Sequence, residues 1–555
     1  MDKHSWRTIG FQFCVAVVML AACSKAKPQS AALSSTAPDT GWDAGAVVAR
    51  DSGTSGKQND SGGTQVAHPD AGATADAAKP TKPAARACKT DQECDDTLYC
   101  SGVETCSAGF CASAVQPPCK GQVCSESSKS CGAPANNQTI TLDPTVTFQT
   151  ISGWEAVAEA GQLTDKSGAN YDAYATQLID QAVNDLGITR LRVEVRSDAE
   201  NTATDGNGYL IVNDNADPNV INWAGFHFAR LDTTIQKLVI PMKKAVEANG
   251  EKFTMRLDYV SFLQNQPSLH AQQPAEYAEF VLAVCKHLKD TFNLQADAWE
   301  AILEPDNVAA WTPPRIGAAI VAAAGVLKKN GFNLSFVAPS NTNMTAAVDY
   351  YDQMIQVPGV LPLLSELSYH RYGGVSDASL MAIGMRSTRD HIGSAMTEYI
   401  GATYNELYKD LSMANNTGWE QFVLAYPVPN DNAAQYYVIS KGSSANPQIV
   451  MGAATKLLRQ YFKFIRPGAV RMQATSSMGN FQPLAFTNKS GKVVTVVKSG
   501  GAGSFAIAGL PSGGYGLKYT TDSEYNIDLA DQSVFGGQLL VANIPAAGAI
   551  TIYGK

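Results

Sequence analysis

Two glutamates stand where apolar runs end: Glu304 in "AILEPDN" and Glu398 in "AMTEYIG". An apolar run that stops at a carboxylate places an acid where a buried strand opens to solvent. Two such acids facing each other are what glycosidic cleavage requires. One carboxyl stays neutral to protonate the leaving oxygen; the other is ionised to attack carbon or activate water. Mutual repulsion and partial burial drive their pKa values apart. A third stretch, "SYHRYGG", offers His370 and Tyr372 at alternate positions, so both can point the same way in a strand. A tyrosine beside Glu398 can hydrogen-bond that carboxylate and keep it charged. His370 can orient the ring or contact hydroxyls, and a satisfied core histidine is its structural alternative.

Such residues need a scaffold that brings distant strand ends together. From residue 149 the chain alternates short apolar runs with helical spacing. The strand candidates are "QTISGWEAV", "ITRLRVEV", "FTMRLDY", "AWEAILE", "LSFVAPS", "ELSYHRY", "SAMTEYI" and "QFVLAYP". Between them lie helical segments such as "PAEYAEFVLAVCKHLKDTF" and "PPRIGAAIVAAAGVLKKNG", each opened by proline. Strand–helix alternation predicts a parallel sheet, and eight repeats predict an α/β fold closed into a (β/α)8 TIM barrel over 149–465. An open doubly wound sheet would carry G-x-G-x-x-G after its first strand, and "TISGWEAVAEAG" lacks it. In a barrel the site lies at the C-terminal strand ends, and strands four and seven face each other across the mouth. Residues 466–555 are rich in Gly, Thr and Val with alternating runs, predicting an antiparallel β-sandwich side domain. The strand at 139–148 is expected to pair into it.

The 555 residues carry 42 basic and 51 acidic side chains, a net charge of −9 that argues against a nucleic-acid groove. Residues 1–22 combine a basic start with a short apolar run, a targeting segment rather than a membrane span. The run ends in "LAAC", which resembles a bacterial lipobox. This implies a lipid on Cys23 and an outer-membrane or cell-surface address, the membrane being touched only through that anchor; ordinary secretion, with Cys23 a bystander, is the alternative. Residues 23–87 hold few large apolar side chains and read as a flexible tether. Residues 88–132 hold Cys88, Cys94, Cys100, Cys106, Cys111, Cys119, Cys124 and Cys131, a disulfide framework of unassigned connectivity. They contain no C-x-x-C pair, which argues against zinc. The remaining mature thiol, Cys285, falls in a helical apolar pattern and reads as core. The seven histidines form no H-x-x-x-H or H-E-x-x-H, and no G-x-S-x-G elbow occurs, so no metal and no cofactor are expected.

Glutamates after strands four and seven, with H-x-Y after strand six, resemble the clan A retaining glycoside hydrolases. "FQTISGWEAVAEA" resembles the opening of glycoside hydrolase family 30, and "YFKFIRPGAVRM" resembles that family's junction between last barrel helix and side domain. The resemblance spans 139–555. It implies Glu304 as acid/base, Glu398 as nucleophile and Arg192 as the arginine supporting the nucleophile. The family reads Asn-Glu-Pro at strand four, with the asparagine on the sugar 2-hydroxyl; here Leu303 stands there, so Asn307 or Asn341 substitutes, or the substrate differs at that position, or the chain is a divergent relative. Trp154, Tyr259 and Trp311, at or beyond strand ends, are candidate stacking faces for a sugar ring. Asp258 is a third carboxylate near the mouth, and Asp306 is a loop or capping residue. The expectation is a monomeric, exported, retaining glycosidase acting on a β-linked saccharide. The alternative is a glycan-binding adhesion protein on the same scaffold.

Overall fold

The computed structural model describes residues 86–555 except 135–137, 164–168, 205, 207, 264–267 and 428–430. The targeting segment, Cys23 and all but the last two residues of the tether lie outside the described residues. Among the described residues no helix is long and apolar enough to cross a membrane.

The expected barrel is present. Its strands are β1 Gly153–Val157, β2 Arg190–Arg196, β3 Thr254–Val260, β4 Ala298–Glu300, β5 Ser335–Asn343, β6 Leu364–Gly373, β7 Gly393–Glu398 and β8 Gly418–Tyr426. Each pairs in parallel with the next, and β8 pairs with both β7 and β1, which closes the cylinder. The run "QTISGWEAV" is divided between two sheets. Gln149 and Thr150 end the side-domain strand Thr139–Thr150, and β1 begins at Gly153 with φ 144. A Cβ at Gly153 would meet Thr189 Oγ1 at 2.6 Å, so the crossing from one sheet to the other needs glycine.

Period-two alternation decides what each strand shows to the lumen. In β2, Leu191, Val193 and Val195 pack into the helix-facing core while Arg190 and Arg192 point inward. In β3, Met255, Leu257 and Tyr259 face the helices, and Arg256 and Asp258 face the lumen. The lumen is therefore filled by ions rather than by branched aliphatics. A lower layer joins Glu155, Arg190, Arg256 and Glu366. A middle layer joins Arg192 to Asp258, Glu300 and Glu420.

The side domain is a nine-stranded sheet with its own apolar core. Its pairs are antiparallel except one: Thr139–Thr150 runs parallel to Gly503–Ala508 while pairing antiparallel with Val470–Ser476. A strand from before the barrel lies between two from after it, so the single parallel pair follows from the chain's return. The junction "FIRPG" has a physical role. Arg466 forks onto Glu251, donating from Nε at 2.8 Å and from Nη2 at 2.5 Å, and its Nη1 donates to the carbonyls of Gly187 and Phe462.

The cysteine-rich segment is stapled as Cys88–Cys106, Cys94–Cys111, Cys100–Cys124 and Cys119–Cys131. It leans on the side domain through Gln538, whose Nε2 donates to the carbonyls of Cys100 and Pro118 at 2.8 and 2.7 Å. Cys285 is buried in the helix Pro274–Phe292, as its pattern predicts.

Candidate active site

Glu304 lies four residues beyond the end of β4, yet the chain there stays in the wall. Leu303 N–H donates to Tyr259 O, and Glu304 N–H donates to Ser340 O at 3.1 Å. Glu304 itself is left-handed, φ 49 and ψ 59, and opens the single turn Pro305–Asn307. A non-glycine residue in this region costs about 1–3 kcal/mol and needs outside support. Asp306 supplies it, accepting from Thr342 N at 2.9 Å, Thr342 Oγ1 at 2.6 Å and Asn343 N at 3.2 Å. Asp306 is thus the staple between the β4 turn and β5.

Glu398 reaches the lumen by a different device. In β7, Ser394 and Met396 face the helices, and simple alternation would send Glu398 the same way. The register slips instead: Tyr369 pairs with Met396, but the next residue, His370, pairs with Glu398. Thr397 is the extra residue, and the bulge turns Glu398 inward, the re-aiming that bulges perform beside active sites. On β6, Glu366, Ser368, His370 and Tyr372 share the lumen face, while Tyr369 turns outward to Asp410.

These elements bring Glu304, His370 and Glu398 together. One carboxylate oxygen from each glutamate and one ring nitrogen lie within 4.8 Å of one another. His370 Nδ1 is 2.9 Å from Glu304 Oε1, and Asn307 Nδ2 donates to Glu304 Oε2 at 2.8 Å. Tyr372 donates its hydroxyl to Glu398 Oε1 and Arg192 Nη1 donates to Glu398 Oε2, both at 3.0 Å. Tyr372 is 37% exposed, so the rim above Glu398 is open to solvent.

The two acids differ in environment. Glu304 is 1% exposed; burial, then the charge of Asp306, pushes its carboxyl up to about 8. Burial also raises Glu398, but there the Arg192 charge and hydrogen bond oppose the shift. Burial lowers His370 to about 4, so its ring is neutral near pH 7. Beneath them, Arg192 donates Nε and Nη2 to the two oxygens of Glu300 at 3.0 Å each. Although burial opposes its charge, Arg192 and Arg256 hold Glu300 down at about 2. Asp258 and Glu420, facing the same arginine, are pushed up by burial, and Arg192 opposes that shift. Arg192 therefore bears both on the glutamate above and on the ion pair below.

The trio Glu304, His370 and Glu398 has metal-like spacing, but its carboxylates are already satisfied. A cation there would sit against the Arg192 guanidinium, 3.0 Å from Glu398.

Three expected stacking platforms are corrected. Trp154 is 0% exposed; because its neighbour Glu155 faces the lumen, alternation turns it to the helices. There it stacks on Phe462 at 4.4 Å and donates Nε1–H to Ile465 O at 2.8 Å. Tyr259, beside the inward Asp258, likewise faces outward, its hydroxyl 2.7 Å from His270 Nδ1. Trp311 packs edge-on to Tyr259 and Tyr277 and is fully buried. A ring with no open face cannot stack on a sugar. Asn341 is also fully buried, with neither amide atom partnered among the described residues. Leu303 is buried and has no group to offer a hydroxyl. Sequence reading missed Glu300, Glu420 and the lower ionic layer. The available signal was charge at alternate positions of otherwise apolar runs, as in "RLRVEV" and "TMRLDY".

No protein-family model matches the chain. No curated protein matches it. Solved structures do. The catalytic domain of GH30 xylanase C from Talaromyces cellulolyticus is 16% identical over 75% of this chain and 100% of that one, with a TM-score of 0.58. A GH30 endoxylanase from Clostridium papyrosolvens C71 is 19% identical, covering 75% and 100%, with a TM-score of 0.55. An endo-β-1,6-glucanase is 14% identical, covering 76% and 96%, with a TM-score of 0.54. About three quarters of the chain thus takes the barrel-and-side-domain fold that these GH30 xylanases and the glucanase share.

Proposed function

We propose that this protein is a retaining glycoside hydrolase acting on a β-linked polysaccharide or oligosaccharide. The observation that carries the reading is the convergence of Glu304 and Glu398 in opposed environments. Glu304 is held neutral by burial. Glu398 is flanked by the Arg192 cation and the Tyr372 hydroxyl, both 3.0 Å away. One oxygen of each glutamate within 4.8 Å of the other fits the short separation of double displacement, about 5–5.5 Å between carboxyl groups, better than the wider gap of an inverting pair.

Glu398 attacks the anomeric carbon as the glycosidic bond breaks, and Glu304 gives its proton to the departing oxygen. The glycosyl ester on Glu398 is then hydrolysed. Glu304, now a carboxylate, takes a proton from water as the hydroxyl adds to the anomeric carbon and Glu398 leaves. Arg192 and Tyr372 stabilise the Glu398 carboxylate before attack and on its release. The similarity to xylanases and a β-1,6-glucanase supports a polysaccharide substrate. The four disulfides support an exported protein, and the lipid anchor at Cys23 remains part of this proposal.

A hydrolysis screen over aryl β-glycosides, xylan and β-1,6-glucan, with NMR of the first-formed anomer, tests the reading. Product of retained configuration is expected. First-formed product of inverted configuration, or glycan binding with no product on any substrate, rejects it.

A further inference from the structure

Away from the barrel mouth, the long excursion after β2 folds back over the outer helix layer. Asn222 accepts from Ala224 N and donates to Asp214 O, fixing the turn Trp223–Gly225. Trp223 is left 48% exposed on that turn. Between it and the outer faces of the helices Pro274–Phe292 and Pro313–Lys329 lies a half-open cavity of about 280 Å³. Glu279, Lys286, Lys329, Asn219 and Asn330 line it with Trp223.

Glu279 marks this cavity as more than a crevice. It is 2% exposed, and its Oε1 has no partner among the described residues. Burial, then the nearby Asp214 and Glu276, raises it to about 8, so near pH 7 it is a neutral acid with a proton to donate. A buried polar atom without a partner costs about 1–3 kcal/mol, which a ligand hydroxyl here would offset. The surrounding charge is acidic, with Lys286 and Lys329 set against Asp214, Glu276, Glu200 and Asp217. That surplus disfavours an anionic ligand, and hydroxyls pair with carboxyl and ammonium groups alike. An aromatic face with a few placed donors and acceptors, in a volume near the low end of small-ligand pockets, suits one sugar ring.

We propose that this cavity is a second, non-catalytic carbohydrate site. It takes one pyranose unit of a polysaccharide, stacked on Trp223 with hydroxyls bonded by Glu279, Lys286 and Asn330. The site holds the polymer on the helix layer while the barrel mouth stays free.

Affinity gel electrophoresis of the Glu398→Ala protein in gels containing xylan or β-1,6-glucan tests this without hydrolysis. Retardation of the parent by at least one polymer is expected. Adding Trp223→Ala, or Lys286→Met on the opposite wall, should weaken it by about tenfold. Trp223→Ala in the otherwise wild-type chain should leave turnover of a small aryl glycoside within about twofold, since that substrate reaches only the mouth. Retardation that survives both substitutions belongs to the mouth and overturns the proposal, as does a parent that neither polymer retards. An inert barrel still held through Trp223 keeps this site and rejects the hydrolase, so the two readings fail separately.

Discussion

Nδ1 of His370 lies 2.9 Å from Oε1 of Glu304. The partners decide where the proton sits. Asn307 donates to Oε2, so Oε2 acts as the carbonyl oxygen and Oε1 carries the hydrogen. With Glu304 protonated on Oε1, a neutral His370 accepts at Nδ1 and carries its hydrogen on Nε2, a tautomer assigned from these partners; Nε2 has no partner among the described residues. The acid proton is thus parked against a weak base, on the carboxyl that must deliver it.

Activity against pH should be bell-shaped. The alkaline limb falls near pH 8, as Glu304 loses the proton it must donate. The acid limb, from protonation of Glu398, lies above the ordinary carboxylate value of 4.5 because burial raises that group. With dinitrophenyl glycosides, whose leaving group needs no proton, Glu304→Gln should keep a measurable bond-breaking step and lose the alkaline limb. A limb that persists in Glu304→Gln assigns the proton to another residue.

The same shift makes Glu304 a cost to stability. Between 4.5 and about 8 the folded protein holds a proton that the unfolded chain has released. Folding therefore weakens as pH rises through that window. Glu304→Gln keeps the shape and removes the penalty. Its Tm should exceed wild type by a few degrees near pH 8 and match it near pH 4. Equal melting curves at both pH values would falsify the raised pKa.

Arg192→Met should be severe. It strips a counter-charge from Glu300 and Glu398, leaving Glu300 to Arg256 alone and Glu398 with no cation beside it among the described residues, a loss of about 3–5 kcal/mol. Acidification should narrow the gap to wild type, because protonated carboxyls no longer need the guanidinium. Thermal melts at neutral and acidic pH read this out. A gap independent of pH would place the loss in packing rather than charge.

Trp154 and Tyr372 should separate structure from chemistry. Trp154→Ala loses the Phe462 stack and the bond to Ile465 O, about 3–5 kcal/mol, and should lower Tm while KM of the folded enzyme holds. Tyr372→Phe loses the hydrogen bond donated to the Glu398 carboxylate and the long one accepted from Ile400 N, and should lower kcat about 10–100-fold with only a small fall in Tm. A raised KM in a stable Trp154→Ala enzyme would return that residue to the sugar site.

Sequence alone determined the barrel and its side domain, because strand and helix periods are local and eight of their alternations close one way. It also marked Glu304, Glu398, His370 and Tyr372 as strand-end polar groups. It did not say which face of a strand looks inward. Alternation ties Trp154 against Glu155 and Tyr259 against Asp258, but closure of the cylinder decides that the acids take the lumen and the rings the helices. Counting by twos along "SAMTE" sends Glu398 to the wrong side. The extra residue Thr397, visible only in the pairing of β7 with β6, brings it back. Nor does local pattern contain the left-handed turn at Glu304, which stands only because Asp306 is bonded to β5. Pattern along a chain records relative facing; absolute facing, and the meeting of charges from strands far apart in sequence, is set when the sheet closes.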